Sequence, residues 1–155
     1  FNQAIELLIK GINLFSDNAN MLALLSHCFI LIDDLTKAKF YLDKAKEIDP
    51  KNALVCWNEA RLLLKNKDFE KAVVISRNTN NLFPNNVEGL VVLGSCLRAI
   101  GSIDESLLYF NKAIELNPNY AEAFINRGLI RLSKENRAEA LTDFETAFAW
   151  RLTVE

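Results

Sequence analysis

Three cysteines, one histidine and a scatter of carboxylates are the residues of this 155-residue chain that could do chemistry. Cys28, Cys56 and Cys96 are well separated, odd in number and never in a CxxC spacing, which is the pattern of neither a disulfide framework nor a zinc site. They read as small buried hydrophobes in a reducing compartment. His27 stands alone, with no second histidine to share a metal. The acidic pairs Asp33-Asp34 and Asp104-Glu105 fall where helices should begin, and there the helix dipole favours a carboxylate. No glycine-rich phosphate loop, HExxH or nucleophile motif occurs. These residues predict no enzyme, no cofactor and no metal.

What they leave is binding, and the bulk properties narrow it. Half of the residues are hydrophobic and a quarter charged, as in a globular chain. The net charge is only −2, with 18 basic and 20 acidic residues mixed along the length, so no basic face is concentrated enough for nucleic acid. The chain opens on Phe1-Asn2-Gln3-Ala4 with no signal-peptide pattern, and its longest apolar stretch, 28–32, is too short to cross a bilayer. A cytoplasmic location without membrane insertion is expected.

The elements that must position any binding surface are announced by the prolines. Pro50, Pro84 and Pro118 are the only ones, and consecutive members lie 34 residues apart. A fixed period of this size marks a repeat architecture. Each proline, followed by an asparagine-containing turn, ends a helix. Other positions obey the period. Ten residues after Ser16 or each proline stand Ser26, Ala60, Gly94 and Gly128; twenty-two after stand Ala38, Ala72, Ser106 and Ala140. Such uniformly small positions let two helix backbones approach. Large residues fill complementary phases, as at Leu22, Leu90 and Phe124, and at Leu42, Phe110 and Phe144. Apolar residues recur at three and four, predicting helices at about 2–15, 20–32, 36–48, 53–66, 69–82, 87–100, 104–116, 121–134 and 137–150. Gly101 should give a left-handed cap, with Ser102 or Asp104 capping the next helix. Ser76 and Thr79, where other second helices carry large apolar residues and alanine, predict the least tightly packed helix.

Leu93-Gly94 with Leu97, then Ser106, Phe110, Ala113 and Pro118, resembles the tetratricopeptide-repeat signature, and 104–127 reads as a nearly consensus member. The resemblance implies an all-α fold, a right-handed superhelical solenoid of antiparallel helix pairs with about nine helices. It divides the chain into a half repeat over 1–18, its second helix only, and four repeats over 19–52, 53–86, 87–120 and 121–152. Starting halfway through a repeat and lacking a polar last helix, the chain reads as a fragment of a longer array, or as one that self-associates through its ends.

The resemblance further implies that first helices line a concave groove. It assigns to that groove Leu24 and His27; Leu54, Trp57, Asn58 and Arg61; Glu88, Val91, Val92, Ser95 and Arg98; and Glu122, Ile125, Asn126 and Leu129. This mixed, rather apolar surface suits a helix or extended segment of a protein partner, with Trp57 as the leading anchor. Asn58 and Asn126 share a phase, as in family arrays that grip a partner's backbone, but Leu24 and Val92 interrupt that ladder. A clamp for the C-terminal carboxylate of chaperones is not expected: only Arg61 could serve it, and Glu122 would repel it. The resulting expectation is a protein-interaction scaffold. The alternatives are a substrate-selecting region of a larger enzyme such as a glycosyltransferase, or a self-associating assembly segment.

Overall fold

The computed structural model describes residues 2–14 and 18–152, with side chains at all of these except positions 2, 13 and 150–152. Nine helices and no strand occur among the described residues: α1 (Asn2–Leu14), α2 (Ala19–Leu31), α3 (Leu35–Ile48), α4 (Ala53–Lys65), α5 (Phe69–Leu82), α6 (Val87–Ala99), α7 (Ile103–Leu116), α8 (Ala121–Ser133) and α9 (Arg137–Leu152). The all-α reading and the helix positions hold, with boundaries displaced by one or two residues. The expected extension of the first helix to residue 15 lies outside the described residues.

Helix starts follow side-chain capping. Asn18, Asp34, Asn52 and Asn86 each accept a hydrogen bond from a backbone N–H of the following turn. At α7 the expectation needs correction: the Ser102 side chain makes no capping bond, and Asp104 lies inside the first turn beside Glu105. Those two carboxylates face the helix's partial positive charge instead of a single N–H.

The turns inside each helix pair share one geometry. Asp33, Lys67, Gly101 and Glu135 have φ of 62, 62, 81 and 61°. The next residue's N–H then reaches back to a carbonyl five residues earlier: Asp34 to Phe29, Asp68 to Leu63, Ser102 to Leu97 and Asn136 to Arg131, each at 2.9 Å. This is the left-handed helix ending for which glycine is best suited, and only Gly101 is a glycine. The other three hold the conformation at about 1–2 kcal/mol of strain each.

The chain comprises two compact units, Phe1–Thr79 and Asn80–Glu155. In the first, Leu22, Leu25, Phe29, Leu42, Val55 and Leu62 form the core, with Ile5, Leu8 and Ile12 of α1 packed against it. In the second, Leu90, Val91, Phe110, Ala113, Ala123 and Ile130 form the core. The small phases are where helices cross. Ser26 Oγ on α2 donates to the Ala38 carbonyl on α3, and Ser106 Oγ on α7 donates to the Gly94 carbonyl on α6, both at 2.8 Å. A Cβ on Gly94 would lie 2.7 Å from Phe110 Cε1, and one on Gly128 equally close to Phe144 Cε1. Glycine is thus paired with phenylalanine at both crossings, so the volume removed on one helix is supplied by the other.

α5 departs from this scheme in its residue types. Ser76 and Thr79 are buried, with hydroxyls donating to carbonyls of their own helix: Ser76 to Ala72 at 2.7 Å and Thr79 to Ile75 at 2.9 Å. Asn80 is also buried, and its Oδ1 has no hydrogen-bond partner among the described residues.

Candidate partner-binding site

The groove residues belong to first helices of both units. In the first, α2 places Leu24 in solvent and His27 half-buried, while α4 places Leu54 and Arg61 half-buried. Trp57 and Asn58 require correction as accessible groove residues. Trp57 is only 4% exposed and Asn58 fully buried, and Asn58 Nδ2 donates to the Ala23 carbonyl of α2 at 2.7 Å. Asn58 thus lies in the seam between α2 and α4, where the side chain of Ala23 is buried as well. A tryptophan there packs; it is not an exposed anchor.

In the second unit α6 and α8 lie against each other. Glu88 and Ser95 are half-buried and Arg98 is exposed, whereas Val91 and Val92 are buried in the core and are corrected in the same way. On α8, Glu122 is exposed, and Ile125 and Leu129, one turn apart, are exposed by 40 and 41%. Asn126 is buried and donates to the Glu122 carbonyl of its own helix at 2.9 Å, which removes the second rung of the asparagine ladder.

Two features escaped the sequence reading. Open clefts of about 430 and 360 Å³ lie on equivalent flanks, between α3 and α4 and between α7 and α8. The first holds a Lys46–Glu59 ion pair at 2.6 Å. Beside the second lies a buried carboxylate. Asp143 receives Nε and Nη2 of Arg127 at 3.1 and 2.7 Å and Nη1 of Arg131 at 2.8 Å, while Arg127 Nη1 reaches Asn111 and Arg131 Nε reaches Glu139. The two arginines were visible in the sequence as replacements for Leu93 and Leu97. Their acceptor was not, because Asp143 occupies the phase of Tyr109 on the other helix of the pair.

None of these arrangements is a reactive centre. Burial pushes the Cys28 and Cys56 thiols up, away from the thiolate that nucleophiles and metals require. Among the described residues no three metal-ligating side chains cluster, and no helix is long and apolar enough to cross a membrane.

Known proteins match the same segments. A tetratricopeptide repeat model covers residues 19–52, and a TPR repeat model covers 94–135. Among curated proteins, the chain is 31% identical over 83 residues to a UDP-N-acetylglucosamine–peptide N-acetylglucosaminyltransferase of Giardia intestinalis, and 27% identical over 89 residues to anaphase-promoting complex subunit 3 of Dictyostelium discoideum. These matches take in 54 and 56% of this chain but only 6 and 9% of those proteins. Among solved structures, TTC0263, a thermophilic TPR protein of Thermus thermophilus, has a TM-score of 0.77 at 19% identity, covering 86% of this chain and 74% of that one. YrrB, described as a TPR protein with an unusual peptide-binding site, has a TM-score of 0.60 at 26% identity, covering 96 and 77%. With repeat models matched to residues 19–52 and 94–135 and the helices where the proline period requires them, the chain belongs to the tetratricopeptide-repeat family.

Proposed function

We propose that this chain is a partner-holding scaffold that takes a peptide or helix along its first helices, with no catalysis within these residues. In this reading 1–18 is a half repeat, followed by four repeats over 19–52, 53–86, 87–120 and 121–152. The observation that carries it is the exposed Ile125–Leu129 strip on α8, with the exposed Glu122 one turn before Ile125. Apolar side chains rimmed by charge at helical spacing suit the apolar side of an inserted segment. Leu24, His27, Leu54 and Arg61 offer a similar mixed surface in the first unit, and the peptide-binding site of YrrB supports the same reading. With Trp57, Asn58, Val91 and Val92 buried, binding energy rests on aliphatic contacts and charges. Three free cysteines fit a reducing, cytoplasmic setting.

The test is photo-crosslinking from position 125 or 129, followed by recovery with Ile125→Asp/Leu129→Asp. Each change removes about 1.5–3 kcal/mol of apolar burial, so partner recovery should fall at least about tenfold with helicity unchanged. Undiminished recovery would remove this strip from the binding surface. A second reading, favoured by the 31% match to the N-acetylglucosaminyltransferase, is that the scaffold selects substrates for a larger enzyme. A catalytic domain in the parent chain would decide for it.

A further inference from the structure

Three cations of the α8 segment converge on one cleft. Arg127, Arg131 and Lys134 stand at i, i+4 and i+7, and all three border the opening of about 360 Å³ between α7, α8 and the start of α9. The third repeat carries Leu93, Leu97 and Ile100 at these phases, and the first carries Leu25, Phe29 and Ile32. Folding does not ask for the exchange, since a buried ionic cluster contributes no more to stability than apolar packing of similar volume. The charge inside is also unbalanced, because two guanidinium groups share the single buried carboxylate of Asp143. The other acids are loosely held. The Glu139 side chain beside Arg131 is 55% exposed, and that of Asp104 beside Lys134 is 94% exposed. Pairs so open to water contribute little.

We propose that this cleft is a binding site for a phosphate monoester. Arg127 directs all three of its nitrogens into the protein, toward Asp143 and Asn111, and so positions the cluster. Arg131 differs. Its Nη1 is fixed by Asp143 at 2.8 Å, while the edge formed by Nε and Nη2 is held, among the described residues, only by Glu139 Oε2 at 3.1 Å from Nε. Such an edge is a planar two-pronged donor that matches a phosphate. Lys134 adds a second cation at the same cleft. A ligand carboxylate would offer this edge nothing that Glu139, already tethered beside it, does not. A phosphate monoester does: it carries nearly two charges and three acceptor oxygens, enough to answer Arg131 and Lys134 together. The walls come from residues 107–139, all within the second compact unit.

The probe is inorganic phosphate, titrated into the isotopically labelled full chain at constant ionic strength and followed by NMR, with acetate as the matched control. Phosphate, and not acetate, should give saturable shifts at the amides of 127–139 and at the Arg131 Nε–H. Lys134→Gln, at an exposed side chain, should weaken phosphate about threefold or more. Glu139→Gln removes the tethered competitor and should tighten phosphate about two- to fivefold, a gain that a purely structural ion pair does not predict. An end-blocked glycine–phosphoserine–glycine peptide that binds more tightly than inorganic phosphate would assign the site to a phosphorylated protein segment; one that binds no more tightly would assign it to small phosphate esters. Acetate that matches phosphate, the absence of saturable shifts, or an affinity unmoved by both substitutions overturns the proposal.

Discussion

The missing Cβ of Gly94 admits the Phe110 ring, which stands where an alanine methyl would come within 2.7 Å. Gly94→Ala gains about 1 kcal/mol of helix propensity but forces a rigid, fully buried ring to move, which costs about 1–3 kcal/mol. The net effect should be destabilising by roughly 1 kcal/mol in urea melts. Gly94→Ala combined with Phe110→Leu should lose less than the sum of the two single changes, since the shorter side chain at position 110 makes room for the added methyl. Asp143 is the more sensitive residue. It is 1% exposed with two arginines converging on it, so Asp143→Ala leaves their charges partly buried and uncompensated at about 3–5 kcal/mol. The triple change Arg127→Leu/Arg131→Leu/Asp143→Tyr copies Leu93, Leu97 and Tyr109 and should melt near or above the original. A triple variant as unstable as Asp143→Ala would show that the ionic cluster cannot be exchanged for apolar packing.

At the scale of the element, α5 is the anomaly. Its Asn80 presents a buried Oδ1 without a partner at the phase where α7 carries Ile114. Relieving it by Asn80→Leu should stabilise the chain by about 1–3 kcal/mol, readable as a rise in the urea midpoint at constant m. Ser76 and Thr79 stood out in the sequence because their identities break a period that every other second helix keeps. Helix positions were legible for a similar reason: Pro50, Pro84 and Pro118 stop helices by covalent geometry, which tertiary contacts cannot override. The left-handed residues Asp33, Lys67 and Glu135 were not legible as such, since only Gly101 carries the residue type that advertises the conformation. The burial of Trp57 was hidden too. A phase fixes the face a side chain occupies, but whether a neighbouring helix covers that face depends on contacts between residues far apart in sequence, as between Asn58 and Ala23.

At the scale of the molecule, two compact units within one chain make stability a local property. Repeat arrays hold together through adjacent contacts, so damage to one unit need not unfold the other in step. Asp143→Ala should therefore strip amide protection from α7 to α9 while α2 to α4 keep theirs, in hydrogen exchange followed by mass spectrometry. Simultaneous loss in both units would mean that the chain unfolds as one cooperative block. The crossing pairs Gly94 with Phe110 and Gly128 with Phe144 have a consequence for inheritance. A recombination event that falls between α7 and α8 hands on a matched pair intact, whereas one that joined α2 to α7 would set Phe110 against Ser26. Duplication of such a gene is thus channelled into whole-repeat steps, and the permitted breakpoints lie beside the prolines.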